Sequence, residues 1–325
     1  MAFVKYRDIK DEQFDQSNYL QTGINGIDKS IIGLGMGQLI VVTGTRAGGK
    51  TTLIGQITNN FIDKGYSGLL CSFEMKNSRL KRWLNLQALG KYNLKKEITV
   101  TGKDIYEPKN DFVKEKVESW IDKHLEVYDN LSFNVNKVSA DIIERLEENP
   151  KIKFVILDNL MKLDTDTMNE NKYEAQSRLV KRLQVFAQKN NICLILVAHP
   201  NKIRVLPRIE DVGGSGDIIN TADTVLLVHR VTDDFKIRAK EYFQWEFDNP
   251  IYKYSNIIEI AKDREFGMDG SLCGVFFEPE AKRFLNYENE NHHYGWEEKP
   301  KQSRIELQDL EEVSDIDDEL FGRPF

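Results

Sequence analysis

Eight consecutive residues, Gly44-Thr45-Arg46-Ala47-Gly48-Gly49-Lys50-Thr51, carry glycines at the first and sixth positions and a Lys-Thr pair at the end. This is the spacing of a phosphate-binding loop. Its glycines let backbone N–H groups turn inward around an anion, and the helix that follows points its positive end at the same charge. Lys50 is placed to bridge β- and γ-phosphates, and the Thr51 hydroxyl suits Mg²⁺, a hard cation that takes oxygen ligands. The apolar run QLIVVT leads into the loop, and TTLIGQITNNF, starting at Thr51 and Thr52, leads out as a helix. A plain Gly-rich turn accounts for the glycines but not for a Lys-Thr pair at a helix start.

Three further side chains end apolar runs. Asp158 closes FVILD, where a carboxylate can hold a metal's water shell beside Thr51; a helix cap has the same pattern. Glu74 follows GLLCSF, 24 residues after Lys50, and its spacing fits equally a general base that polarises water and a cap for the next helix. His199 closes LILVA and is followed by Pro200. It reads either as a structural histidine or as a group that senses a γ-phosphate.

These positions require a scaffold that brings several strand ends to one edge. β-branched apolar runs alternate with helical-period segments, the pattern of an α/β fold with a mostly parallel central sheet flanked by helices. Strands are expected at 38–43, 68–73, 152–158, 192–198 and 223–228, and helices at 50–63, 78–89, 112–124, 140–146 and 173–189. Strands at 255–262 and 272–277 flank DREFGMDG and predict a C-terminal β-hairpin. Polar segments 163–171 and 200–217 follow strand ends and should be loops at the carboxyl edge, where open α/β folds bind ligands.

Composition bounds the rest. Hydrophobic residues at 40% and charged residues at 30% describe a globular chain and exclude collagen-like or disordered classes. The longest uncharged stretch, Ser30 to Thr45, is broken by four glycines and is shorter than the roughly 20 apolar residues of a spanning helix. The N-terminus MAFVKYRDIKDEQFD is charged where an export signal is apolar, so a cytoplasmic location is expected. Cys71, Cys193 and Cys273 sit in apolar strand-like runs and read as reduced core residues. Net charge is −7, and the last twenty residues, with eight acidic side chains and Arg323, account for all of it, which leaves the preceding 305 neutral. Three parts are expected: a linker at 1–16, an ATPase domain at 17–290 and an acidic, disordered tail at 291–325.

Taken together, the motifs resemble the motor domain of the hexameric replicative helicases, the RecA-like group that includes bacterial DnaB, mitochondrial Twinkle and phage primase-helicases. The resemblance runs from about Ser17 to Leu285. TGINGIDKSIIGLGMGQLIVVTGTRAGGKTT resembles the family's entry segment and phosphate loop, CSFEM its glutamate motif, VILDNL its metal-binding strand and LVAHPNK its sensor motif. GGSGDIINTADTVLLVHR is similar to the DNA-binding loop and the strand after it, and IAKDREFG to a hairpin with a Lys-x-Arg pair, here Lys262 and Arg264.

The resemblance implies ATP and Mg²⁺ as cofactors, Glu74 as the catalytic carboxylate and His199 as the coupler between γ-phosphate and DNA. It implies that Lys262 and Arg264 reach the ATP site of a neighbouring subunit, in a homo-oligomer of six. It further implies 5′-to-3′ movement on single-stranded DNA in a bacterial or phage-infected cell. Partners of the group's kind are a primase, a helicase loader or a single-stranded-DNA-binding protein. Candidate DNA contacts are Lys202, Arg204, Arg208, Gly213, Gly214, Ser215 and Gly216; glycines stand where relatives often carry charge, which suggests backbone amides gripping a phosphate.

Sixteen residues precede the resembling stretch, with neither a primase nor a helical collar, so Phe3 to Phe14 are expected to pack on an adjacent subunit. The tail ends DIDDELFGRPF, similar to the acidic, Phe-ended tips of single-stranded-DNA-binding proteins, and reads as a solubiliser or a docking tip. Two alternatives share the core motifs: a filament-forming recombinase, and a loader or adaptor that binds ATP only as a switch.

Overall fold

A strand buried on both faces needs helices on both sides, and the chain supplies them in alternation. The computed structural model describes residues 4–8, 13–129, 138–159, 172–200, 206–211 and 216–297. The short strands β1 (Tyr19–Leu20) and β2 (Leu34–Gly35) pair antiparallel around α1 (Asn25–Ile31). Then follow β3 (Leu39–Gly44), α2 (Lys50–Asp63), β4 (Ser67–Ser72) and α3 (Asn77–Leu89). A ribbon of β5 (Leu94–Ile98) and β6 (Asp104–Pro108) precedes α4 (Asp111–Asp122), β7 (Leu125–Val127) and α5 (Val138–Glu148). The chain continues through β8 (Ile152–Asp158), α6 (Lys172–Asn190), β9 (Cys193–Val197), α7 (Gly216–Thr221) and β10 (Thr224–Arg230). It ends with α8 (Asp233–Phe243), β11 (Asn256–Asp263), β12 (Ser271–Glu278) and β13 (Arg283–Leu285).

Nine strands form one sheet in the order β13-β12-β11-β10-β3-β9-β8-β4-β7. From β10 to β7 every neighbouring pair is parallel, while β11, β12 and β13 extend the sheet antiparallel. Side chains alternate between two cores, as the two-residue period of a strand demands. On β3, Ile40 and Val42 face α1, α2 and α3 with Ile57, Phe61 and Phe154. Leu39 and Val41 face α5, α6 and α7 with Val180, Leu183 and Ile218. Cys71, Cys193 and Cys273 are buried and free, as their apolar surroundings predict.

The five expected parallel strands and five helices all form, displaced at their ends by at most two residues; α2 and β8 match in full. The hairpin forms as β11 and β12. The loop expected at 163–171 lies outside the described residues. Packing continues past residue 290: Tyr294 is 2% exposed against Trp120, and the Trp296 indole donates to Ala88 O at 3.0 Å. The packed body therefore reaches residue 297 rather than 290, because two aromatic rings anchor a segment whose sequence reads as polar.

Candidate nucleotide site

In the order β3-β9-β8-β4, four parallel strands stand side by side, so their carboxyl ends deliver the phosphate loop, His199, Asp158 and Glu74 to one edge. The loop from Gly44 to Gly49 leads into α2 at Lys50 and opens a cleft of about 690 Å³. Its lining includes residues 45–52, Glu74 and His199.

Tight packing explains the glycines. A Cβ on Gly44, at φ +145°, would lie 2.2 Å from Val228 O on the neighbouring strand β10, and Gly49 holds φ +105° at the helix start. The Lys50 ammonium donates to Gly44 O and Thr45 O, both at 2.9 Å, which folds the side chain over its own loop. Burial lowers its pKa, opposed by the charges of Glu74 and Asp158.

Asp158 is buried at the end of β8. Burial pushes its carboxyl up to about 6, and the charge of Glu74 raises it further while His199 and Lys50 oppose. A carboxyl held that high is one that lacks a strong cation partner, so the site fits a divalent ion. Among the described residues no group of three or more His, Cys, Asp or Glu forms a metal cage. One carboxylate, the Thr51 hydroxyl and the substrate's own phosphates make the hard-oxygen set that Mg²⁺ takes.

Glu74 is oriented from two sides. His199 Nε2 lies 2.8 Å from its Oε1, and the Asn159 amide donates to the same oxygen. The carboxylate is thereby tied to the ends of β9 and β8, with its exposed side facing the cleft.

Other elements contribute residues that motif reading missed. Asn256, buried at the start of β11, donates from Nδ2 to Gly48 O at 2.8 Å and straps the loop. Trp83, Arg230, Phe277 and Phe284 complete the walls. Tertiary folding alone brings them there; the only sequence signal is a polar residue opening an apolar strand at Asn256.

The expected DNA loop is partly in view. Lys202, Arg204, Gly213, Gly214 and Ser215 lie outside the described residues, and Gly216 opens α7. Arg208 is exposed, with its guanidinium 3.6 Å from the ring centroid of Tyr242 on α8. Leu206 is buried with Phe235, Ala239 and Ile257, which pins this segment to α8.

Lys262 and Arg264 sit elsewhere. β11 runs antiparallel to β10 with Asp263 opposite Thr224, so the pair lies at the amino edge of the sheet, away from its own chain's cleft. Lys262 Nζ donates to Ile219 O at 2.7 Å, Asn220 O at 3.1 Å and Ala222 O at 2.7 Å. Arg264 pairs with Asp223 Oδ1 at 2.6 Å and donates to Asn220 O at 2.7 Å.

Comparison with known proteins agrees with this arrangement. The chain is 27% identical over 231 residues to the replicative DNA helicase DnaB of Mycoplasma pneumoniae, covering 66% of this chain and 47% of that protein. It spans about half the length of the replicative helicases it matches. Among solved structures, the ATPase domain of a phage helicase superposes with a TM-score of 0.64 at 18% identity, over 83% of this chain and 91% of that one. A DnaB-like replicative helicase described with its interactions with primase superposes with a TM-score of 0.64 at 19% identity, over 83% of this chain and 62% of that one. Both show the RecA-like fold that the motifs imply. The DnaB-like helicase C terminal domain family matches residues 19–286, and with that match covering most of the chain, the protein belongs to this family.

Proposed function

We propose that the chain is an ATP-driven motor that translocates along single-stranded DNA and separates duplex strands during replication, working as a ring of six copies. One observation carries the reading: Glu74, held by His199 at 2.8 Å, stands at the carboxyl edge beside the Lys50-Thr51 loop. Family membership favours this over a recombinase or a non-catalytic switch, since the relatives are replicative helicases.

Lys50 would leave the loop carbonyls and bind the β- and γ-phosphates, with backbone amides of residues 45–52 around them. Thr51 and Asp158 would hold Mg²⁺, which when bound neutralises phosphate charge. Glu74 orients a water for in-line attack and accepts its proton, while His199 fixes the carboxylate's direction. The same histidine opens the segment that runs through Arg208 to Gly216, so a change at the γ-phosphate is passed to the DNA side. Arg264 would be given to the next subunit's ATP, making turnover depend on assembly. Movement from 5′ to 3′ and partnership with a primase, a loader or a single-stranded-DNA-binding protein belong to the same reading. No described helix is long and apolar enough to cross a membrane.

Glu74→Gln tests the chemistry. It should bind ATP within a few-fold of wild type and lose turnover by roughly 10²- to 10⁴-fold. Turnover near that of wild type would remove Glu74 from the role of base.

A further inference from the structure

The Lys-x-Arg pair is expected to act as one unit, yet the two side chains are bonded differently. An ammonium has three N–H donors, and Lys262 gives one each to the carbonyls of Ile219, Asn220 and Ala222. Those carbonyls are the end of α7, where a helix leaves acceptors unsatisfied and favours a positive charge. Arg264 has five N–H donors, and among the described residues two are used, on Asp223 and on Asn220 O. Its side chain is 49% exposed, so the rest of the fork faces outward.

The backbone is shaped for this division. Ile258 and Ile260 face the core under α1 and α2, and an undisturbed two-residue period would turn Lys262 the same way. A register shift in the β10–β11 pairing, where Val225 meets Lys262 and Leu226 meets Ile260, leaves Ala261 without a partner. Such a bulge re-aims the side chains beyond it. Lys262 therefore lands on the opposite face, where Ile218 and Ala222 of the α7 segment pack.

We propose that Lys262 is a positioning residue acting within its own subunit, holding α7 and thereby the glycine motif at its amino end in register for DNA, while Arg264 alone crosses to the neighbouring ATP. This rests on the helicase reading above. It assigns the two members of the pair to different substrates: Lys262 to DNA binding, Arg264 to hydrolysis. Asp223 separates them further. Its Oδ2 accepts from Leu39 N at 2.9 Å while Oδ1 takes Arg264, so the arginine is anchored to the start of the phosphate-loop strand and not to α7 alone.

The test compares Lys262→Met, Lys262→Arg and Arg264→Ala as full-length chains. With a non-hydrolysable ATP analogue and fluorescent oligo-dT, Lys262→Met should lose about tenfold in affinity, and Lys262→Arg should recover most of it because a guanidinium still donates to carbonyls. Amide exchange across 218–222 should quicken by a similar factor in Lys262→Met alone. Arg264→Ala should keep its oligo-dT affinity and lose turnover, and mixing it with Lys50→Ala subunits, which carry an intact arginine, should restore turnover. The same mixing should leave the affinity of Lys262→Met subunits low. Wild-type affinity and exchange in Lys262→Met would overturn the proposal, as would turnover lost on substitution and restored by mixing just as for Arg264→Ala. A Lys262→Met chain too unstable to assay leaves Lys262→Arg to decide, since full affinity and exchange are required there. Wild-type chain that binds no oligo-dT would instead remove the helicase reading beneath the proposal.

Discussion

Replacing Asp158 by Asn should make the nucleotide-free protein more stable while removing its hydrolytic activity. Burial raises the folded pKa of Asp158 from 3.8 to about 6, so the native state holds this proton more tightly than the unfolded chain does. The sign follows: the associated stability is fully present below about 3.8 and is lost as pH rises through about 6. Above that range the loss amounts to roughly 3 kcal/mol at about 1.36 kcal/mol per pKa unit. Asn keeps the shape and carries no charge to bury. Lys50 then loses one of the two carboxylates that favour its charge, which trims the expected gain at pH 7.5 to roughly 2 kcal/mol. For a chain of this size that is a rise of about 3 to 5 °C in Tm. Near pH 5 the native Asp158 is largely protonated, so the advantage of Asn should shrink to about half. Thermal melts of both proteins from pH 5 to 7.5, without nucleotide or metal, measure this. An Asp158→Asn protein no more stable than wild type at pH 7.5, or a gap constant with pH, would refute the reasoning.

Three other substitutions or deletions follow from single contacts. Asn256→Ala removes the 2.8 Å bond to Gly48 O and should raise the ATP concentration for half-saturation by about tenfold, with a smaller effect on maximal rate, read from steady-state ATPase kinetics. Arg208→Ala should reduce the slope of log affinity for single-stranded DNA against log salt by about 0.7, one phosphate contact; an unchanged slope would leave the guanidinium serving Tyr242 alone. Stopping the chain after residue 290 discards Tyr294 and Trp296 and should cost about 3 to 5 kcal/mol in urea melts. Stopping after Ser303 should leave the melt unchanged, and constant DNA affinity and partner binding in that shorter chain would mark the acidic tail as a solubiliser.

Much of this molecule is legible in one dimension because its central strands are continuous apolar runs with polar ends. β8 and α2 show it best: FVILD stops at its only functional carboxylate, and the helix after the phosphate loop starts at Lys50. Elements that bury little were not legible. The ribbon of β5 and β6 buries Leu94 and otherwise exposes alternating charged and polar residues, so neither strand has an apolar face to read. α8 buries only Phe235 and Ala239, a stripe too narrow to separate from a charged loop. α1 begins without a side-chain cap, and β7 is three residues long.

The candidate site divides in the same way. The phosphate loop, Glu74, Asp158 and His199 all follow strand ends and can be found by punctuation. Asn256, Trp83 and Phe284 reach the cleft from distant segments, and no local pattern announces a contact made across 200 residues of chain. The bulge at Ala261 is a further case: two residues apart in sequence predicts that Lys262 and Arg264 share a face, but not that the face is the one carrying α7.

Unwinding of a forked DNA, with 5′-tailed and 3′-tailed controls, Mg-ATP and Lys50→Ala as the blank, tests the central claim most directly. Strand separation that requires the 5′ tail and vanishes in the blank is the predicted result. ATP hydrolysis stimulated by single-stranded DNA but without strand separation on any fork would contradict it.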